Sequence, residues 1–151
     1  MTRTAAREVA VRLCFSTEML EDSGIETVLE DFFEPEHYAT LGREDELFAE
    51  IPSQEQMNYI RQTVSQVAER QAELDGYIAQ YAKGWSVARI SKVSRAILRC
   101  ALYEILYMED VPTKAAVNEA VEIAKHYEEP ETVSFINGVL GSFIRGMQET
   151  P

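Results

Sequence analysis

Residues 95–108, RAILRCALYEILYM, are apolar at nearly every position around a helix. A surface helix shows one apolar stripe, whereas a helix apolar all round has to be enclosed by other elements. The run is too short to span a bilayer, which needs about 20 apolar residues. Arg99 and Glu104 inside it also make it too charged for that. A chain with such a segment is expected to be a helical bundle built around it.

The other segments supply the wrapping helices by their spacing. Ala6, Val9, Ala10, Leu13 and Leu20 form a first stripe, with Arg3 and Arg7 four apart along its edge. SGIE at 23–26 has the form of a capping box, opening a helix that carries Ile25, Val28, Leu29, Phe32 and Phe33 and stops at Pro35. Residues 34–52 are polar and acidic and are expected to be a loop with at most one helical turn. SQEQ at 53–56 is a second capping box. It opens a long pattern of Met57, Ile60, Val64, Val67, Leu74, Ile78 and Tyr81, with a break expected near 69–73 and an end at Gly84. Ser94 is placed to cap the central helix. After DVP, Val117, Ala120, Val121 and Ala124 mark a further helix, and EEPET leads into the last one, with Glu131 or Thr132 as cap. The expectation is an all-α bundle of about seven helices, with no strand, repeat or low-complexity tract.

SFINGVLGSF, residues 134–143, tests that reading, because Asn-Gly between apolar pairs is a strong hairpin signal. Neither arm alternates, and no third strand is available to support so short a hairpin. Phe135, Val139 and Phe143 recur every fourth residue, as do Ile136 and Leu140, so helix is the better assignment. Gly138 and Ser142 then suggest a small-residue strip where a neighbouring backbone approaches, with Asn137 facing Asn118.

The formal charge of −12 is unevenly placed. Residues 18–55 hold thirteen acidic residues against the single basic Arg43, and the rest of the chain is neutral. From Gly76 to Tyr103 there are Lys83, Arg89, Lys92, Arg95 and Arg99 with no acid. Charges in water are screened within roughly 8–10 Å, so a local basic surface can act within an acidic protein. The expectation is that negative charge is confined to one arm, leaving an electropositive groove between the first helix and the final turns. Cys14 and Cys100 fit neither a metal spacing nor a disulfide framework, which points to a reducing compartment. The start of the chain is broken by Arg3, Arg7, Glu8 and Arg12 and does not read as a secretory signal.

SRAILRCALYEIL (94–106), VNEAVEIAKHY (117–127) and SFINGVL (134–140), in that order and with short turns between, resemble the NusB transcription antitermination factors. AAREVAVRLCF (5–15) and YIRQTVSQV (59–67) match more weakly, and about residues 20–52 lie outside the resemblance. The resemblance implies a single NusB-like domain over 1–151 in two helical subdomains. These are an N-terminal half, 1–70, containing the acidic segment 18–55, and a C-terminal half, 71–151. It further implies a cytoplasmic, non-catalytic protein without cofactor or metal. Its partners would be a boxA-type single-stranded RNA, the small-subunit ribosomal protein NusE and the RNA polymerase antitermination complex, with no membrane.

Carried over residue by residue, the resemblance places Arg3 and Arg7 in an arginine cluster facing RNA, with Thr4 and Ala5 where basic residues are common. Phosphate contacts dominate nucleic-acid affinity, so weaker binding and a shallower salt dependence are expected. Glu131, Thr132 and Phe135 fall on the turn and first residues of the last helix, which touch bases in the family. A helix N-terminus offers amides to phosphate, and an exposed aromatic offers a stacking face. Glu131 and the two glutamates before it oppose this electrostatically, and Ser134 stands where a basic residue is common. Tyr81 and Arg99 match further RNA-facing positions. Trp85, Arg89, Lys92, Ser94 and Arg95 lie in the stretch that resembles the region meeting the ribosomal protein. Ser94 stands where an acidic residue is usual and cannot form that residue's charge pair.

Taken without the resemblance, Arg3 and Arg7 also suit a solvated helix edge, Phe135 and Tyr81 also suit the core, and the basic run 83–99 suits neutralisation of segment 18–55. An enzyme is disfavoured, because His37 and His126 are isolated and no nucleophile motif or phosphate loop is present. Two alternatives to the RNA-binding factor remain: a protein-only scaffold of the same fold, and a homodimer that hides the RNA face.

Overall fold

The computed structural model describes residues 1–149. Among them are eight α-helices, two 3-10 turns and no strand. The chain divides into two compact units, Met1–Ala68 and Glu69–Pro151.

In the first unit, α1 (Arg3–Thr17) is capped by Thr2, whose hydroxyl accepts the Ala5 amide at 3.0 Å. It buries Val9, Ala10, Leu13 and Cys14. The second helix, α2 (Asp22–Phe32), starts one residue before the expected Ser23 cap. Ser23 lies inside the first turn, and its carbonyl accepts the Thr27 hydroxyl at 3.0 Å. The acids Glu21 and Asp22 favour this earlier start, since negative charge stabilises a helix N-terminus.

The expected loop over 34–52 is corrected by the structure, which has α3 (Pro35–Glu44) and a 3-10 turn (Glu46–Phe48) there. Local chemistry explains the helix. Pro35 occupies the first turn, where its fixed φ suits a helix and its missing N–H is not needed. The Glu34 carboxylate accepts the amides of His37 at 2.8 Å and Glu36 at 3.1 Å, and these bonds hold its pKa below the ordinary glutamate value. Tyr38 and Phe48 are buried, with Phe32 edge-on to them at centroid distances of 5.6 and 5.7 Å. The Tyr38 hydroxyl donates to the Glu50 carbonyl at 2.9 Å. A Cβ on Gly42 would lie 2.7 Å from the Phe48 carbonyl oxygen, so glycine permits the turn to fold back on α3.

The unit closes with α4 (Gln54–Glu69). Its capping box is reciprocal: Ser53 Oγ accepts the Gln56 amide at 3.1 Å, and Gln56 Oε1 accepts the Ser53 amide at 3.0 Å.

The second unit opens with α5 (Gln71–Tyr81), so the long pattern does break where expected. Gly84, at φ +83°, makes the turn beyond it. Next come a 3-10 turn (Val87–Arg89), α6 (Lys92–Tyr107), α7 (Thr113–Tyr127) and α8 (Pro130–Glu149). The apolar helix α6 is central, packing against α5, α7 and α8 and burying every residue from Ala96 to Glu104. From α8, Ile136, Val139, Leu140 and Phe143 are buried. Each such side chain contributes roughly 1.5–3 kcal/mol on burial.

Three expectations about this unit are corrected. The cap of α6 is Ser91, whose hydroxyl accepts the Ser94 amide at 3.2 Å; Ser94 is fully buried in the first turn. α8 begins at Pro130, one residue before Glu131, so neither Glu131 nor Thr132 caps it. Gly138 forms no close-approach strip, because nothing lies within 4 Å of a Cβ placed there, and Asn137 and Asn118 are both exposed. The close approach falls at Gly146 instead, against the Tyr81 ring. No helix among the described residues is long and apolar enough to cross a membrane.

Candidate nucleic-acid and protein interface

The second unit carries a hollow of about 470 Å³ where the starts of α6 and α8 meet the turn after α5. Its lining includes Glu128, the residue that follows α7. Ser91 Oγ donates to Glu128 Oε1 at 2.7 Å, and Ser94 Oγ donates to the same oxygen at 3.1 Å. The carboxylate therefore sits at the N-terminus of α6, where the helix dipole and charge-assisted hydrogen bonds both favour it. Ser94 lacks the charge expected at this place, and the fold brings one to it from α7.

Two groups of residues complete the lining. Trp85, Arg89 and Ile90 come from the segment between α5 and α6. Glu131, Thr132 and Phe135 come from the first turns of α8. The Trp85 and Phe135 rings are 6.0 Å apart and tilted by 58°, and Trp85 is 52% exposed. The hollow thus unites three residues expected to meet the ribosomal protein, Trp85, Arg89 and Ser94, with three expected to meet RNA. Ser91 and Glu128 were missed by sequence reasoning. An earlier serine three residues before Ser94 was the available signal for the cap; no local signal pairs Glu128 with either serine.

Lys92 and Arg95 stand on the first turn of α6, both half-buried. Arg95 Nη1 donates to the Ile90 carbonyl at 2.5 Å, fastening the preceding turn to the helix. Tyr81 ends α5, half-buried and edge-on to Phe143 at 5.7 Å. Arg99 is buried, with Nε and Nη2 donating to the two carboxylate oxygens of Asp75 at 2.7 and 2.8 Å. The expectation of an RNA-facing Arg99 is corrected by this geometry, because its guanidinium is held inside the unit.

In the first unit, Arg3 is exposed at the start of α1 and Arg7 is half-buried one turn on. The acidic segment is not set apart from this helix. Arg12 Nη1 lies 2.7 Å from Asp45 Oδ2, and the Met1 amine lies 3.2 Å from Glu50 Oε2. The Leu47 amide and the Arg12 guanidinium hold the Asp45 carboxyl below the usual aspartate range. Negative charge in segment 18–55 therefore reaches back to α1, which corrects the expectation that it is confined to a separate arm.

A model of the NusB family matches residues 4–145. The transcription antitermination protein NusB of Acetivibrio thermocellus is 39% identical over 145 residues, covering 96% of this chain and 90% of that protein. The corresponding protein of Symbiobacterium thermophilum is 39% identical over 151 residues, covering 98% and 92%. A solved NusB structure from T. maritima aligns with a TM-score of 0.77 at 26% identity, covering 96% of this chain and 92% of that one. A crystal structure of the antitermination factors NusB and NusE with dsRNA aligns at 0.69 and 20% identity, a likeness of fold. With the family match running from α1 into α8, the chain belongs to the NusB family.

Proposed function

We propose that this protein is a cytoplasmic, non-catalytic transcription antitermination factor that binds a boxA-type single-stranded RNA together with the ribosomal protein NusE. The observation that supports the reading most is the hollow of the second unit, whose lining holds Trp85, Arg89 and Ser94 from the one expected set and Glu131, Thr132 and Phe135 from the other. Two ligands on adjoining surfaces raise each other's local concentration, so a joint complex forms where either ligand alone binds weakly. Arg3 and Arg7 supply phosphate contacts from the first unit. Thr132 and Phe135 supply an α8 start and an aromatic edge for bases, and Trp85, Arg89, Lys92 and Arg95 face the ribosomal protein.

Binding of boxA RNA, measured by fluorescence anisotropy with and without NusE across a salt series, tests this reading. Cooperative binding that weakens with salt is expected. Absence of binding to either ligand at low salt would remove it. The internal Asp75 pair of Arg99 favours, as a second reading, a protein-only scaffold with reduced RNA affinity. Charge reversal at Arg3 and Arg7 separates the two, since it abolishes RNA binding in the first case and leaves the scaffold's protein binding intact in the second.

A further inference from the structure

We infer that the pocket enclosed by α1, α2 and α3 in the first unit is a docking site for a basic segment of a further protein, which seats one large apolar side chain there. The inference goes beyond the function proposed above, none of whose contact residues line this pocket. The pocket holds about 330 Å³ and lies within Met1–Ala68. Its apolar lining comes from Leu13 of α1, Val28 and Phe32 of α2, Leu41 of α3 and Phe48 of the 3-10 turn. Leu13 and Phe48 are buried, whereas Val28, Phe32 and Leu41 are half-buried and keep apolar surface open to solvent. The volume is at the lower end of ligand sites, about 300–1,000 Å³, which suits a side chain better than a nucleotide.

Charge decides the class of partner. The arginine of the lining, Arg12, is already committed: its Nη1 lies 2.7 Å from Asp45 Oδ2, and its guanidinium stands 5.4 Å from the centre of the Phe48 ring. The α2 wall carries Asp22, Glu26, Glu30 and Asp31 with no basic residue, and Asp31 is an exposed member of the lining. Glu34 adds a carboxylate beside His37 of the lining, whose amide it accepts at 2.8 Å. Against these acids stand Arg43, in the last turn of α3, and the His37 imidazole. A negative field of this kind reaches about 8–10 Å at physiological salt, where it repels a phosphodiester backbone and draws in lysine and arginine. In protein interfaces a few apolar anchors in closed pockets supply most of the affinity, while rim charges choose the partner. The partner segment therefore presents a phenylalanine or leucine flanked by basic residues.

The test titrates acetylated, amidated peptides Lys-Lys-Ser-Xaa-Ser-Lys-Lys, with Phe, Leu or Ala at Xaa, into the whole chain at low salt. The methyl resonances of Val28 and Leu41 are followed. The Phe or Leu peptide should move them and bind roughly tenfold or more tightly than the Ala peptide, as for burial of one large side chain. Asp31→Lys, at an exposed position that the fold tolerates, should weaken the better peptide by about fivefold. Val28→Lys, which brings a like charge and bulk into the pocket, should abolish its binding. Unmoved resonances with every peptide overturn the inference. So does equal affinity for the Phe, Leu and Ala peptides, or an affinity in Asp31→Lys equal to the parent's. Movement of Val28 and Leu41 by NusE alone, by boxA RNA, or by a higher protein concentration without peptide also overturns it. Those results would give the pocket to the ribosomal protein, to RNA or to a second copy of this chain.

Discussion

The phenol of Tyr81 packs directly over Gly146, filling the space that a Cβ at that position would need. The ring also meets Phe143, one turn earlier on α8, edge-on at 5.7 Å. Gly146→Ala therefore has to displace an anchored ring, and it should destabilise the protein by about 1–3 kcal/mol in urea unfolding. In a Tyr81→Ala background the same change should cost close to nothing, a non-additivity expected of side chains in direct contact. Additive effects would show that the ring moves freely.

Arg99 and Asp75 form a two-bond pair whose guanidinium is nearly fully buried. Removing Asp75 takes two charge-assisted hydrogen bonds from a buried guanidinium. Asp75→Ala should lower stability by about 3–5 kcal/mol. Arg99→Met should also destabilise, but by less than Asp75→Ala, because the carboxylate that remains, on Asp75, is partly exposed to solvent. Under conditions where both variants stay folded, boxA affinity should match the parent. A selective loss of RNA binding in Arg99→Met, with stability retained, would return Arg99 to the binding surface.

Much of the fold was legible because its signals were local. The apolar run of α6, the break between α4 and α5, the Ser53–Gln56 cap and the helical assignment of 134–143 all follow from spacing within a turn or two. What escaped notice depends on contacts distant in sequence. α3 is polar along most of its length, and its Tyr38 gains meaning from Phe32 and Phe48 around it. Gly138 looked like a packing glycine, yet helix rotation leaves it exposed and gives that role to Gly146. Glu128 was read as part of a turn, because nothing near it reveals the serines of α6 that hold it.

Gly42 and Asp45 govern how the acidic segment closes. Gly42→Ala presses a Cβ on the Phe48 carbonyl and should lower the stability of the first unit by about 1–3 kcal/mol, read by hydrogen exchange of α3 amides.

The Asp45 carboxyl titrates below its unfolded value, near pH 4. Its contribution is therefore present above that pH and is lost as pH falls through the lower folded value. Asp45→Asn should be less stable than the parent at pH 7, and the difference should shrink progressively in acid below about pH 4. A difference independent of pH would assign the effect to packing rather than charge.

The proposed contacts with RNA and a ribosomal protein lie at the start of α1 in the first unit and, in the second, at the start of α8 and in the hollow beside α6. An amide chemical-shift map with boxA RNA, then with NusE added, tests them. RNA should move the amides of residues 3–7 and 131–135, and the protein should then move those of 85–95 and Glu128. Shifts confined to the acidic segment 18–55, or none at low salt, would contradict it.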